Sequence, residues 1–187
     1  MRVLGVDPGL GRTGVAVVEG APGALRLVHA ARIDTVPQTS EPARLANLYD
    51  LVADVLESYT PDVAAVEQLF FSTNRRTAMR VGEARGVILC AIGRAGVHVA
   101  EYTPTQVKEA VCGYGAAHKK QVMRMTSRLL ALDSDADDVA DACAVAVCHH
   151  HRARLSALTG TRRRQAGSSP LERAVARARA RFEAARR

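Results

Sequence analysis

Four carboxylates, Asp7, Glu67, Asp138 and Asp141, occupy positions from which they could serve one site. Asp7 closes the apolar run Val3-Leu4-Gly5-Val6, and Glu67 closes Val63-Ala64-Ala65-Val66, so each is expected at a strand end. Asp138 and Asp141 lie three apart in an alanine-rich stretch and share one face of a predicted helix. That helix is rich in Ala, Val and Cys on most sides, and a buried helix does not readily hold two unpaired acids. Four acids brought together repel one another unless positive charge neutralises them. Divalent metal does so economically, and hard oxygen ligands suit Mg²⁺ or Mn²⁺.

The chemistry such a set would perform is metal-assisted hydrolysis. Two ions about 4 Å apart would activate a water and stabilise the leaving 3′ oxygen, with no covalent intermediate. Lys119 and Lys120 open a predicted helix, where a lysine can add charge or move a proton and backbone N–H groups can meet phosphate. Each acid also has a plainer reading. Asp7 before Pro8-Gly9 can cap a turn, and Asp138 and Asp141 can be solvent-facing acids favoured by the helix dipole. Asp133 and Asp135 read as capping residues of a connector, and Asp137, rotated by about 100° from Asp138, is expected to face elsewhere.

The elements that must position these groups follow from periodicity. Residues 2–7, 13–18 and 25–33 read as strands joined by close turns, an antiparallel meander. A helix is predicted over 41–59, with Ser40 as N-cap and Pro42 in its first turn. Residues 63–66 give a fourth strand, 76–94 a helix, and 97–101 a fifth strand. Helices follow from Thr103 or Thr105 to about Val111, from Lys119 to Leu130, and over 136–151. The pattern predicts an α/β domain with a mixed five-stranded sheet flanked by helices.

At 187 residues with 48 % hydrophobic content, the chain suits one compact domain with a real core. The net charge of +7 is uneven: 15 Lys or Arg face 17 Asp or Glu up to His151, whereas the remainder carries 11 Arg against 2 Glu. The reading is therefore a domain over 1–151 followed by a basic, Arg-rich, flexible tail over 152–187. Such a tail favours anionic partners, nucleic acid first. Cys90, Cys112, Cys143 and Cys148 form no CxxC pair and read as buried thiols of a reducing cytoplasm. The N-terminus runs directly into a strand, with no signal peptide, and no apolar run approaches a membrane span. With acids and lysines combined, a nucleic-acid phosphodiester is the expected substrate.

Several ordered motifs extend the argument. They are Gly5-Val6-Asp7-Pro8-Gly9 with Thr13-Gly14, Ala65-Val66-Glu67-Gln68-Leu69-Phe70, Gly82-Glu83-Ala84-Arg85-Gly86, Gln106-Val107-Lys108 with Gly113 to Lys119, and Asp138-Val139-Ala140-Asp141-Ala142. Together they resemble the RuvC family of bacterial Holliday junction resolvases over roughly residues 1–151. The resemblance implies an RNase H-like fold, a homodimer, and Mg²⁺-dependent nicking of two opposed strands of a four-way DNA junction. It implies ligatable 5′-phosphate and 3′-hydroxyl ends, a role in recombination and DNA repair, and cooperation with the RuvA–RuvB branch-migration complex.

By that resemblance Asp7, Glu67, Asp138 and Asp141 are the catalytic metal ligands. Lys108 and Lys119 match basic positions that contact DNA or assist catalysis, and Phe70 matches an aromatic that stacks on an unpaired base. Arg75, Arg76, Lys120 and Tyr114 are further candidate DNA contacts. A dimer also follows from the task, since two symmetric nicks need two sites about a two-fold axis. Ala78, Met79, Gly82, Gly86, Ile88 and Leu89 make helix 76–94 the candidate interface, although the same face can pack on the sheet. His149-His150-His151 reads as a cluster at a helix C-terminus rather than a site, and His118 has no metal partner at ligand spacing. Three other readings stay open here: an actin-like phosphotransferase, suggested by the loop from Asp7 to Gly14, a nuclease acting on hybrids, and a noncatalytic junction scaffold.

Overall fold

The first three strands fold back on one another because the turns between them are too short for a crossover. In the computed structural model, which describes residues 1–36, 38–68, 75–132 and 137–158, they are β1 (Arg2–Asp7), β2 (Arg12–Ala21) and β3 (Ala24–Asp34). Both pairings are antiparallel. The longer connection through α1 (Glu41–Tyr59) carries the chain to β4 (Val63–Glu67), which lies parallel to β1. The next crossover, through α2 (Arg75–Arg94), places β5 (His98–Tyr102) parallel to β4. The sheet order is β3-β2-β1-β4-β5, the expected mixed five-stranded sheet. The remaining helices are α3 (Pro104–Cys112), α4 (Lys119–Leu130) and α5 (Asp137–Leu158).

Strand alternation divides the core in two. Leu4 and Val6 of β1, Val15 and Val17 of β2, and Ala64 and Val66 of β4 pack with Leu48, Val52 and Leu56 of α1 and Ala84, Ile88 and Ile92 of α2. Val3, Ala16, Val18 and Ala65 face the other way, against Val107 and Val111 of α3, Val122 and Leu130 of α4, and Val139 to Cys148 along α5. Residues of the same parity as Val3 and Ala65 are Gly5, Asp7 and Glu67, so both strand-end acids lie on the side of α5.

Helix α5 approaches the sheet unusually closely, and two glycines make this possible. A Cβ on Gly5 would collide with the Ala142 carbonyl oxygen and come within 2.8 Å of the Ala146 nitrogen. One on Gly14 would collide with the Asp138 carbonyl oxygen and come within 2.6 Å of its carbonyl carbon. Ala142, Ala144 and Ala146 are fully or almost fully buried, so α5 is apolar around most of its circumference, as a central helix must be.

The histidine run is not a helix terminus. α5 continues to Leu158, and each imidazole ties it to a different element. His149 Nδ1 lies 2.8 Å from the Tyr102 hydroxyl of β5, His150 Nε2 lies 3.1 Å from Val18 O of β2, and His151 Nδ1 lies 2.8 Å from Ala110 O of α3. Val18 sits where the β2–β3 register shifts, so His150 bonds the sheet at its irregularity. Burial pushes the His149 pKa down to about 4, which keeps the ring neutral.

Two further expectations change. Cys143 and Cys148 are buried as predicted, but Cys90 is exposed on α2. In the proposed interface set, Ile88 belongs to the core and Leu89 packs against it, whereas Met79 and Gly86 are exposed. The helix therefore uses one stripe for the sheet and leaves another outward. No helix among the described residues is long and apolar enough to cross a membrane. The sheet and both cores belong to the unit Met1–Arg154; residues 152–158 of the expected flexible tail are helical, as the end of α5, and the rest of the tail lies outside the described residues.

Gly14→Ala is expected to destabilise the protein by about 1–3 kcal/mol, the usual cost of overpacking. Urea denaturation measures it, and an unchanged midpoint would mean that α5 does not rest on β2 as described.

Candidate active site

The site is built where β1 and β4 end together. The pairing Val6↔Val66 sets Asp7 beside Glu67. After Asp7 the chain turns through Pro8-Gly9, and the buried Thr13 hydroxyl fixes that turn by donating to Gly9 O at 2.6 Å and accepting from Gly9 N at 3.3 Å. Glu67 is followed by a backbone bond from Gln68 N to Tyr102 O at 2.8 Å, which holds the strand end against β5. Asp138 and Asp141 come from the first turns of α5, at the level where Gly14 lets it press on β2.

Electrostatics shows the acids acting as a group. Burial pushes the Asp7 pKa up to about 8, and repulsion from Glu67, Asp141 and Asp138 adds to it. The hydrogen-bonding contact between the two carboxyls raises Asp7 further and lowers Glu67. Burial also raises Glu67; the Asp7 bond offsets part of this, Asp141 adds repulsion, and Lys119 and Lys108 oppose it. Asp141 is raised in the same way, first by burial and then by Asp137 and Asp138.

Lys119 is the cation that meets this set. Its Nζ lies 2.9 Å from Asp141 Oδ2 and 3.4 Å from Asp137 Oδ2. Burial works against the ammonium, but the two carboxylates outweigh it and hold its pKa above the ordinary value. The pair is thus asymmetric: Lys119 is stabilised as a cation, while Asp141 stays harder to ionise than a free carboxylate. One lysine does not neutralise the group, and the remaining deficit is what a hard divalent cation would fill. Among the described residues no three His, Cys, Asp or Glu groups converge as a ready-made metal cage. The donor set fits such an ion in chemistry, with all four groups being carboxylates.

Asp137 is a correction. It does not face away from the site but pairs with Lys119, and it shares with Asp141 the four-residue spacing that puts two helical residues on one face. That spacing was legible in the sequence. Lys108 on α3 is near enough to favour the Glu67 anion. Tyr114 is exposed and its hydroxyl donates to Gln121 Oε1 at 2.5 Å, fastening the glycine loop to α4. Lys120 is exposed one residue beyond Lys119. Arg75 and Arg76 open α2, but their side chains lie outside the described residues, as do Phe70, Asp133 and Asp135. His118 is the N-cap of α4 and makes no side-chain capping bond.

Residues 3–149 match the family model of the crossover junction endodeoxyribonuclease RuvC. The chain belongs to the RuvC family. It is 44 % identical over 169 residues to the crossover junction endodeoxyribonuclease RuvC of Syntrophomonas wolfei, covering 89 % of this chain and 98 % of that one. The Thermus thermophilus RuvC structure in complex with a Holliday junction substrate superposes with a TM-score of 0.79 at 36 % identity, covering 83 % of this chain and 96 % of that one. The yeast mitochondrial Holliday junction resolvase, at 16 % identity and a TM-score of 0.63, shares the fold over 86 % of this chain and 82 % of its own. The fold of this RuvC-family chain is RNase H-like, as the resemblance implied.

The Asp7 titration gives a sign that can be checked. Its folded pKa is raised from 3.8 to about 8, so the stability linked to its proton is complete below pH 3.8 and is lost as pH rises through about 8. Asp7→Asn removes this loss. Without added divalent ions, the variant is expected to exceed the parent in stability by about 1–3 kcal/mol at pH 9, with the gap shrinking toward pH 5. Chemical denaturation across that range measures it; a gap independent of pH would refute the raised carboxyl.

Proposed function

We infer that this chain is an endonuclease that resolves four-way DNA junctions by symmetric paired nicks, leaving 5′-phosphate and 3′-hydroxyl ends, in recombination and repair. The observation that carries the reading is the gathering of Asp7, Glu67 and Asp141 with Lys119 at one end of the sheet, in a chain that matches the family over residues 3–149. A phosphotransferase reading loses its support with that match.

Asp7, Glu67, Asp138 and Asp141 would hold Mg²⁺, or Mn²⁺ in its place, as two ions per site that activate water and stabilise charge on the leaving oxygen. The side chains set the conditions. Asp7 and Glu67 both hold a proton more tightly than free carboxyls do, and both must ionise to act as ligands, so occupancy would be linked to pH. Lys119 Nζ, kept charged by Asp141 and Asp137, would offset negative charge building on the phosphate. Lys108 supports Glu67 as an anion. Phe70, Arg75, Arg76, Tyr114 and Lys120 complete the DNA contacts in this reading, with Phe70 as a stacking residue.

Two sites are needed for paired nicks, and we assign the homodimer contact to the outward stripe of α2. Met79 there is 68 % exposed, and Gly86 offers no side chain to hold a partner off. The RuvA–RuvB complex is the proposed partner in branch migration. The unpaired thiols Cys143 and Cys148 accord with a reducing cytoplasm. The proposed organisation keeps residues 1–151 as the nuclease domain and 152–187 as a basic tail.

Cleavage of a synthetic four-way junction with a mobile core tests this. Paired, ligatable nicks that require Mg²⁺ are expected. Asp141→Asn should lower the rate by more than about a hundredfold, beyond the usual loss for a residue that only orients a ligand. Equal cleavage of plain duplex, or full activity of the variant, would refute the reading.

A further inference from the structure

Helix α4 leads away from the site, and its two faces differ sharply. Val122, Thr126 and Leu130 recur at four-residue steps and are buried. Lys120, Arg124 and Arg128 recur at the same step, two residues out of phase, and are exposed. An offset of two residues is about 200° around a helix, so the three cations form one ridge opposite the buried stripe. The helix sequence, KKQVMRMTSRLL, contains no acid at all. Among the described residues none of the three ridge cations makes an ion pair.

An ordinary solvated helix face explains this poorly. Such faces mix both signs, because pairs of opposite charge at four-residue spacing support the helix and like charges oppose it. Here three like charges are stacked. The helix dipole favours Arg128 in the last turn but disfavours Lys119 and Lys120 at the positive end. Lys119 finds compensation in Asp141 and Asp137. Lys120 and Arg124 find none among the described residues, so the ridge is open to an anion from outside.

We propose that the Lys120–Arg124–Arg128 ridge of α4 binds the sugar-phosphate backbone of a duplex arm leaving the cleavage site. This rests on the nuclease reading above and extends it from the reacting phosphate to its neighbours. The ridge begins one residue from the site, because Lys120 follows Lys119, whose Nζ reaches Asp141. Successive cations are about 6 Å apart along the helix axis, a step from which long side chains can meet successive phosphates. The contact carries charge and no base-reading group, so it strengthens binding without choosing sequence.

The test is a salt titration of binding by the full chain, without divalent ions, to a four-way junction and to a linear duplex of the same length. The variants are R124Q/R128Q, which removes two charges, and R124K/R128K, which keeps them. Both sites are exposed and Gln, Lys and Arg have similar helix propensities, so each variant keeps the fold. For R124Q/R128Q the slope of log affinity against log salt is expected to flatten by about 1.8 per bound protomer, with affinity near 50 mM salt down roughly tenfold or more. R124K/R128K should stay close to the parent. An unchanged slope in R124Q/R128Q would overturn the ridge, and so would R124K/R128K binding as weakly as R124Q/R128Q. If the parent prefers the junction no more than the duplex, the function reading fails, while the duplex slopes still decide the ridge.

Discussion

The closeness of α5 to β1 and β2 is the constraint on which the site depends. Asp138 and Asp141 come from a helix, while Asp7 and Glu67 come from strands, and ordinary side chains between them would hold the two layers apart. Gly5 and Gly14 remove that spacing at the two places where the helix backbone lies against the sheet. Small residues on the helix, Ala142 and Ala146, complete the fit. Alternation along β1 and β4 then ensures that both strand-end acids point to the helix side. Fold and site are thus one arrangement.

That arrangement places acids where burial and mutual repulsion both raise their pKa values. The strain is eased by raised affinity for protons at Asp7 and Glu67 and by the pairing of Lys119 with Asp141 and Asp137. The unfavourable charge is tolerated because α5 is held elsewhere. Its alanine and valine surface fills the core on its side of the sheet, and three histidine bonds fix its middle to β5, β2 and α3. Neutral imidazoles suit that task, since a charged ring at His149 or His150 would require the same desolvation that the acids already incur.

Much of this was legible in the chain. The strands and helices announce themselves through period-two and period-three-to-four apolar patterns, and the four acids stand at the ends of such runs. The parts that were not legible are those in which a residue serves an element far along the sequence. Nothing local indicates that Gly14 meets Asp138, or that His150 bonds Val18, because both depend on the placement of α5. A helix buried on most sides has little amphipathic signal from which its orientation can be read. Cys90 misleads for a related reason: an apolar neighbourhood in sequence does not say which side of α2 meets the sheet. Asp137 is different. Its four-residue relation to Asp141 was visible, and a comparison confined to its neighbour Asp138 hid it.

The distribution of positive charge follows from the same geometry. A helix that starts with two lysines works against its own dipole, and among the described residues acids pair with the first of them alone. Asp137 and Asp141 therefore fix one ammonium at the edge of the site, and Lys120, Arg124 and Arg128 face outward, rotated from it by about 100°. An anion bound along these cations would meet fixed charge at its reacting end and flexible side chains beyond. Such a surface registers the spacing and shape of a phosphate chain and is indifferent to the bases attached to it. Discrimination among sequences would then have to come from groups that touch bases, and discrimination among shapes, in the proposed homodimer, from how two such surfaces are held relative to each other. On the proposed reading affinity, shape preference and sequence preference would be carried by different parts of the molecule, and the outward charges at Lys120, Arg124 and Arg128 could vary while Lys119 stays paired with Asp141 and Asp137.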